Sequence, residues 1–311
     1  EMKTSKKINS GHPEKSSRKT AIALVVIVLL LAFLVQKDVT LPLWVIGGGA
    51  LVSFFILLAS SLHSSLPAFL ALVCYIPFSK VLVGDFDGFM KALNFTNILM
   101  IFVLIGMFVR FAGRGKPLLE KNSLNIPIFM FCLISGFGFF RGMNYFGYYG
   151  NSIELLSQLK RWLTPPLIFY LAYNSLRDKE AIKNVIKIIM VVVALVGLMA
   201  AVDYINIGEV SSLEKARIGG VVDQPNQLAA FFVYYMFLYA GFFLVYFPSL
   251  TAWAFLIPLL IAFRGIMVTF SRGGYLSFAL GVFAISFFRN KILFIVIILI
   301  SQLRPNQYAL S

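Results

Sequence analysis

The sequence predicts an all-α, polytopic integral membrane protein with about eleven transmembrane helices and a cytoplasmic N-terminus. Apolar residues make up 59% of the chain and charged residues only 13%, whereas a soluble domain usually carries about 25% charged residues. The apolar residues form continuous blocks rather than an alternating pattern, which favours membrane-spanning helices over a barrel. The lipid bilayer is therefore the first partner that the sequence predicts.

Charged residues lie mainly between the apolar blocks, where they act as topology determinants. The formal net charge of +14 would suit nucleic acid, but this distribution argues against a nucleic-acid partner. The basic tail at 1–20 precedes an apolar run at 21–36 that has no small-residue cleavage site after it. We therefore interpret that run as an uncleaved first helix rather than a signal peptide.

A transmembrane domain is predicted over 21–303. Its spans are placed at 21–36, 41–62, 66–84, 95–111, 126–140, 162–176, 185–203, 225–247, 251–271, 273–289 and 291–303. Several are shorter than the ~20 residues that a straight crossing needs, so tilted or partly re-entrant segments are expected.

Lys and Arg residues predict the orientation of these spans. The predicted inner segments hold sixteen of them and the outer loops hold eight, as the positive-inside rule requires. The weakest span, 66–84, contains two prolines, but removing it would place the basic cluster at 110–121 outside. This pattern predicts a cytoplasmic tail at 1–20, an outer loop at 204–224 and an extracytoplasmic segment that starts at 304–311.

Sequence motifs of soluble enzymes are absent. The chain has no phosphate-binding glycine loop, no G-x-S-x-G and no Cys/His metal spacing, so neither a metal nor a cofactor is predicted. The two histidines, His12 and His63, lie on the predicted inner side, and both are interpreted as solvated or interfacial.

One stretch of the outer loop suits an anion. Arg217 is followed by the pair Gly219 and Gly220, and then by Pro225. Glycine permits a positive φ or a close backbone approach, and proline suits the first position of a helix, with Asp223 or Gln224 as its cap. A helix N-terminus beside an arginine binds anions readily. The alternative, an ordinary capped helix with an arginine at headgroup level, is equally compatible with this stretch alone.

A second stretch, 269–275, reads Thr-Phe-Ser-Arg-Gly-Gly-Tyr and forms a predicted outer turn. For Arg272, a snorkelling side chain that caps helix carbonyls is the ordinary interpretation. Arg264 lies deeper, roughly two turns below the predicted outer end of its span. A charge there costs at least ~2.5 kcal/mol, so we expect it to face a polar cavity, or otherwise a carbonyl or an acid of another helix.

Together the two stretches resemble the O-antigen ligase/O-antigen polymerase superfamily. The first motif, R-x-x-G-x-x-x-x-P-N-x-L-A, is matched by Arg217, Gly220, Pro225, Asn226, Leu228 and Ala229, and the second, T-x-S-R-G, by Thr269, Ser271, Arg272 and Gly273. Each motif is short, but their order, the span between them and their shared outer face make the combination more specific. The resemblance covers about 180–290.

The resemblance implies glycosyl transfer on the outer face of the bacterial inner membrane. Such enzymes pass a saccharide from an undecaprenyl-diphosphate carrier to a sugar hydroxyl, on lipid A core or on a growing chain, and generally need no metal. It implies catalytic roles for Arg217 and Arg272. Substrate-binding roles follow for Arg264, Asn226, Gly220, Ser271 and Gly273. Guanidinium groups bind phosphate oxygens as a fork, and they stabilise charge on a leaving diphosphate.

The chain departs from the family at its C-terminal end. Family members usually continue into a large outer loop, which in ligases carries a further His and Arg, whereas this sequence stops at Ser311. We expect either a fragment or a shortened member. Asp223 or Glu214 is the candidate base, although a cap or a surface acid is the ordinary interpretation of each.

Two other functions remain open at the level of sequence. A transporter or flippase for the same lipid-linked glycans would use Arg217, Arg264 and Arg272 to escort the diphosphate without chemistry. A non-catalytic scaffold of a polysaccharide-export complex would need none of them.

Overall fold

The computed structural model describes residues 52, 54–79, 94–114, 121–146, 152–207 and 217–289, and within these ranges the regular structure is helical without strands. A helical stretch at 54–61 precedes eight helices. These are α1 (Leu66–Tyr75), α2 (Phe95–Arg114), α3 (Asn125–Phe146), α4 (Ser152–Ser175), α5 (Lys179–Asn206), α6 (Pro225–Tyr246), α7 (Leu250–Val268) and α8 (Arg272–Arg289). Short 3-10 turns cover Ile76–Phe78 and Gly220–Val222. The all-α prediction is confirmed for the described residues.

Five of these helices are long and apolar enough to cross a membrane, namely α2, α3, α5, α6 and α7. The segment Leu66–Phe78 and helix α8 are apolar but shorter. The protein is therefore a multi-pass membrane protein. The total of eleven spans and the cytoplasmic N-terminus stay predictions. The spans 21–36 and 291–303, most of 41–62, the tail 1–20 and the segment 304–311 lie outside the described residues.

Helix α4 corrects one predicted boundary. The span was expected to begin at 162, but the helix begins at Ser152 and continues through Pro165 and Pro166. Hydropathy marks where a helix can enter lipid, whereas backbone hydrogen bonding continues through polar sequence, so the charged residues before 162 were misassigned to a loop. Glu154 in the first turn also interacts favourably with the helix dipole.

The chain divides into two compact units, residues 1–188 and 189–311. In the first unit, α1 packs against α2 and α4, and α3 packs against α4. Small residues allow close approach there, since a Cβ added to Gly106 would lie 2.8 Å from the Ser65 backbone. The buried Ser175 hydroxyl donates to the Ser65 hydroxyl at 3.1 Å. Small residues and hydroxyl bonds of this kind hold helices together where lipid removes the hydrophobic driving force.

The second unit is built on α6, which packs against both α7 and α8. Gly265 of α7 lies under the ring of Phe232, and a Cβ there would come within 2.6 Å of three ring atoms. Gly281 of α8 accommodates the ring of Phe237 in the same way. These contacts fix the ends of the three helices relative to each other, and those ends carry both sequence motifs.

Candidate functional site

Both motifs meet at one end of the second unit, where α6 and α8 begin and α7 ends. The link is the side chain of Asn226, in the first turn of α6. Its Oδ1 accepts a hydrogen bond from Arg217 Nη2 at 2.8 Å and another from Ser271 Oγ at 2.9 Å. The two donors therefore lie within about 6 Å of each other, since each is at hydrogen-bond distance from the same oxygen.

The contact with Asn226 uses only part of the hydrogen-bonding capacity of Arg217. Its guanidinium has five N–H groups, and the bond to Asn226 uses one of them. Its Nε is buried and has no hydrogen-bond partner among the described residues. Asn226 thus orients a charged fork that retains several unused donors.

The loop that carries Arg217 into α6 has an unusual backbone. Gly220 has φ +52°, and Asp223 has φ 58° in the left-handed region, which few non-glycine residues adopt. A Cβ added to Gly219 would lie 2.6 Å from the carbonyl carbon of Asp223. The predicted positive φ is therefore found at Gly220, and the predicted close approach at Gly219.

The N-terminus of α6 is open. Pro225 is its first residue, as predicted, and Gln224 occupies the cap position without a side-chain capping bond. The prediction that the side chain of Asp223 or Gln224 caps this helix is thus wrong. Gln224 has an extended backbone with φ −145°, and Asp223 has a left-handed one. An uncapped N-terminus leaves backbone N–H groups and a partial positive charge at the helix end.

Hydrogen bonds of side-chain hydroxyl groups stabilise the turn between α7 and α8. Thr269 Oγ1 donates to the Ile266 carbonyl at 2.8 Å and accepts from the Ser271 amide at 3.3 Å. Ser271 Oγ accepts from the Gly274 amide at 3.2 Å, which caps the start of α8. Between them Phe270 has φ 47°, a strained conformation for a bulky residue. Ser271 is thus both a helix cap and a donor to Asn226.

Other motif residues serve packing. Leu228 is fully buried, and a Cβ at Gly220 would lie 3.0 Å from its Cδ2. Ala229 is fully buried, and a Cβ at Gly274 would lie 2.7 Å from the Cβ of Ala229. These residues place the loop and α8 against α6, and leave Arg217, Asn226 and Ser271 as the motif residues that form the polar cluster.

Arg272 and Gly273 follow Ser271 in the first turn of α8, and both are exposed. The Arg272 side chain makes no hydrogen bond or ion pair with any other described residue. Nothing lies within 4 Å of a Cβ added to Gly273. Arg272 follows Ser271 directly in the chain, so a second cationic side chain originates one residue from the contact with Asn226.

Arg264 is nearer to its helix end than predicted. Because α7 ends at Val268 rather than at 271, Arg264 lies only about one turn from the C-terminus, roughly 6 Å along the axis. Its side chain is exposed, and its Cζ lies 5.3 Å from the ring centroid of Tyr204. A cation over an aromatic face is stabilised electrostatically, and an arginine suits the negative end of the helix dipole. Tyr204 was not predicted as a partner of Arg264.

Of the candidate bases, Asp223 is exposed in the loop before α6, and Glu214 lies outside the described residues. In the described ranges, no cluster of three or more His, Cys, Asp or Glu side chains could hold a metal ion. The described cluster consists of Arg217, Asn226 and the buried Ser271, with the exposed Arg272 next to Ser271 in the chain and the uncapped N-terminus of α6 beside them. Such an arrangement can bind and polarise an anion.

No family model, curated protein or solved structure matches this chain.

Proposed function

We propose that this protein transfers a glycan from an undecaprenyl-diphosphate carrier to a sugar hydroxyl, in the manner of the O-antigen ligase/polymerase superfamily. The observation that carries the proposal is the shared acceptor Asn226 Oδ1, which joins Arg217 to Ser271 although Ser271 lies 45 residues after Asn226 in the sequence. Two motifs that are far apart in the chain thereby contribute to one cationic surface. Such a surface fits a diphosphate, which carries several oxygens for charge-assisted hydrogen bonds.

The chemistry needs stabilisation of the leaving group. The acceptor hydroxyl oxygen attacks the anomeric carbon, the bond from that carbon to the diphosphate oxygen breaks, and undecaprenyl diphosphate leaves with the bonding electrons. Negative charge builds on that oxygen in the transition state, and preorganised cations beside it lower the barrier. Arg217 and Arg272 are the residues proposed for this role, because a guanidinium keeps its charge in a site of low dielectric constant.

The hydroxyl proton must go to a base. Asp223 is the proposed acceptor, because it is an exposed carboxylate in the loop between Arg217 and Asn226. Its φ of 58° holds the backbone in a conformation that few non-glycine residues adopt, and such backbone outliers cluster at functional sites. Glu214 is the other candidate base from the same loop.

The proposed location is the inner membrane of a bacterium, with the cluster at its outer face. The apolar helices α2, α3, α5, α6 and α7 support insertion in a bilayer. The excess of Lys and Arg on the alternate loops supports the outer position of 204–224. The proposed acceptor, lipid A core or a growing saccharide, would then be reached without crossing the membrane.

Arg→Lys substitutions test the proposal. Purified Arg217→Lys and Arg272→Lys proteins keep the charge but lose the planar fork, so we expect transfer from a lipid-linked oligosaccharide to fall by tens- to several-hundred-fold, or about 2–4 kcal/mol. Arg141→Lys is the matched control, because Arg141 is exposed on α3 in the other unit. It should transfer normally. Near-normal transfer by both the Arg217→Lys and Arg272→Lys proteins would show that charge alone suffices and would refute the proposed role of the two planar guanidinium groups.

Assays on the same purified protein distinguish the proposed transferase from a flippase and from a scaffold. Only the transferase forms a covalent bond between glycan and acceptor, which mass spectrometry detects. A flippase changes the leaflet of the lipid-linked glycan in proteoliposomes, and a scaffold does neither. Movement between leaflets without a covalent product would replace the transferase proposal by the transporter.

A further inference from the structure

Hydrogen bonds, rather than contacts between α7 and α8, fix the turn at 269–271 that joins these two helices. Both helices pack mainly against α6 and contact each other little. A contact between the rings of Phe263 and Phe278, with centroids 5.5 Å apart, joins α7 to α8 further from the turn. The position of the turn relative to α7 therefore depends on the hydrogen bonds that cross it.

The carbonyl group of Met267, in the last turn of α7, is where one such bond is made. The last carbonyl groups of a helix have no partner within the helix. The Met267 oxygen accepts from the Phe270 amide at 3.4 Å and from the Tyr275 hydroxyl at 2.9 Å. The first distance is longer than usual for N–H···O, whereas the second is within the normal range for O–H···O. The tyrosine hydroxyl is therefore the better donor to this carbonyl.

Tyr275 is placed for this contact by α8, although no role was predicted for it from the sequence. It lies in the first turn of α8, and its amide donates to the Ser271 carbonyl at 3.0 Å. Side chains of a helix lean toward the N-terminus of that helix, so the half-buried ring of Tyr275 reaches back over the turn. The bond to Met267 thus ties the first turn of α8 to the last turn of α7.

Phe270 gives this bond its importance. Its φ of 47° lies in the left-handed region, which a bulky residue adopts only at a cost in free energy. The bond between Tyr275 and Met267 closes around Phe270 and opposes its return to a favoured conformation. Without the tyrosine hydroxyl, the long bond of the Phe270 amide and the two bonds of the Thr269 hydroxyl would have to hold the turn. A change in the Phe270 backbone would move the residues that follow it.

We infer that Tyr275 is a positioning residue for the polar cluster of Arg217, Asn226 and Ser271, and that it acts through the backbone of the turn. Its hydroxyl keeps Ser271 Oγ at 2.9 Å from Asn226 Oδ1 and sets the direction in which the next residue, Arg272, leaves the turn. The expected effect on glycosyl transfer rests on the proposed function. The effect on the contact between Ser271 and Asn226 does not.

Amide hydrogen exchange of the segment 269–275 tests the positional effect without any substrate. Tyr275→Phe keeps the ring and removes only the hydroxyl, so we expect exchange about three- to tenfold faster, and a similar change in Asn226→Ala. Because both substitutions break the same chain of contacts, the double variant should exceed the faster single variant by less than about twofold. If the two increases multiply instead, Tyr275 does not act on the Asn226 contact, and the inference is overturned.

Tyr234→Phe is the matched control for loss of a tyrosine hydroxyl. Tyr234 is 75% exposed on α6, and its hydroxyl makes no hydrogen bond to another residue of the described ranges. Exchange of the segment 269–275 and transfer should both remain as in the parent protein. An equal acceleration of exchange in Tyr234→Phe would overturn the inference, since the effect would then not depend on the bond to Met267.

Transfer kinetics test the consequence for the reaction. We expect kcat of Tyr275→Phe to fall about tenfold, with the donor KM within about twofold of the parent value, because misplaced groups lose transition-state contacts. Glycine adopts a positive φ without strain. In a Phe270→Gly background, therefore, adding Tyr275→Phe should change kcat by less than about twofold.

Two kinetic outcomes would refute the positioning role. One is a parent-like kcat in Tyr275→Phe. The other is an equally large loss of kcat with and without Phe270→Gly, since the hydroxyl would then act on the reacting groups directly rather than through the turn. If the parent protein transfers no glycan, the proposed function fails, and the exchange measurements alone decide the inference.

Discussion

Asn226→Ala gives the sharpest test of the cluster, because it removes the one oxygen that Arg217 and Ser271 share. The side chain is exposed, so it is not part of a packed core. Removing it frees the Arg217 fork to rotate and deprives the α8 cap of its contact with α6. The substitution therefore perturbs orientation with little effect on packing.

The expected loss of stability in Asn226→Ala follows from the two hydrogen bonds that Asn226 Oδ1 accepts. A hydrogen bond to a charged group contributes about 1.5–3 kcal/mol to stability, and a neutral one about 0.5–1.5 kcal/mol. Both contributions are smaller in an exposed site, so we expect a stability loss of about 1 kcal/mol. Transfer should suffer more, because a displacement of about 1 Å in a positioning group can reduce the rate a hundredfold. We expect this loss of transfer rate to appear as a lower kcat.

Asn226→Asp separates orientation from charge. The carboxylate restores an acceptor of the same shape and pairs with Arg217, so stability should be kept or raised. A new negative charge about 6 Å from a bound diphosphate would repel it by about 3 kcal/mol at an effective dielectric constant of about 20. The loss, about a hundredfold, should therefore appear in the donor KM.

Steady-state transfer kinetics and thermal unfolding of the purified variants provide the measurements. Gln227→Ala is the matched control, since Gln227 is the next exposed residue of α6 and makes no side-chain bond to a described residue. It should behave like the parent protein. Parent-like kcat and KM in Asn226→Ala, with the protein folded, would show that the shared oxygen has no role in transfer.

Three further substitutions test neighbouring features. Gly220→Ala forces a Cβ onto a backbone with φ +52° and should lower stability by about 1–2 kcal/mol in thermal unfolding, whereas Gly273→Ala, with open space around its Cβ, should be neutral or slightly stabilising. Arg264→Leu should leave the protein inserted and folded but impair transfer, and full activity would mean that its contact with Tyr204 is only structural. A single cysteine at Asp178 in a cysteine-free background should resist an impermeant thiol reagent in sealed cells, and its labelling would reverse the predicted topology.

Helix type and approximate helix position were predictable because apolar blocks long enough to span a bilayer have few alternatives. The start of α6 was predictable to the residue, since Pro225 has no N–H to lose at a first helical position. The start of α4 was not, because the polar sequence from Ser152 to Arg161 gives no hydropathy signal while still forming helical hydrogen bonds. The end of α7 was placed too late because the residues from Thr269 to Ser271 carry no charge, and the first charged residue after the apolar run is Arg272.

For the site, the alternation of the loops predicted that the segments of Arg217 and Arg272 share one face of the membrane, but not that Asn226 joins Arg217 to Ser271. Asn226 was selected by resemblance, whereas its double acceptor role depends on three-dimensional distances that no local pattern encodes. Tyr204 lies 60 residues from Arg264 in sequence, and an aromatic residue near a helix end is too common in membrane proteins to be singled out.

The double use of Asn226 Oδ1 also decides which polarity the cluster presents to a ligand. An amide oxygen has two lone pairs, and here both are occupied by protein donors. The remaining groups of the described cluster are the amide NH₂ of Asn226, the unused N–H groups of Arg217, the Arg272 guanidinium and the free amides of α6, and all of them donate. A phosphate accepts from every side and satisfies such a surface, whereas a sugar hydroxyl must also donate its own hydrogen. In the proposed transfer, an acceptor saccharide would therefore make its donated hydrogen bond outside this cluster, and hydrogen-bond polarity would separate the two proposed substrates before any bond is broken.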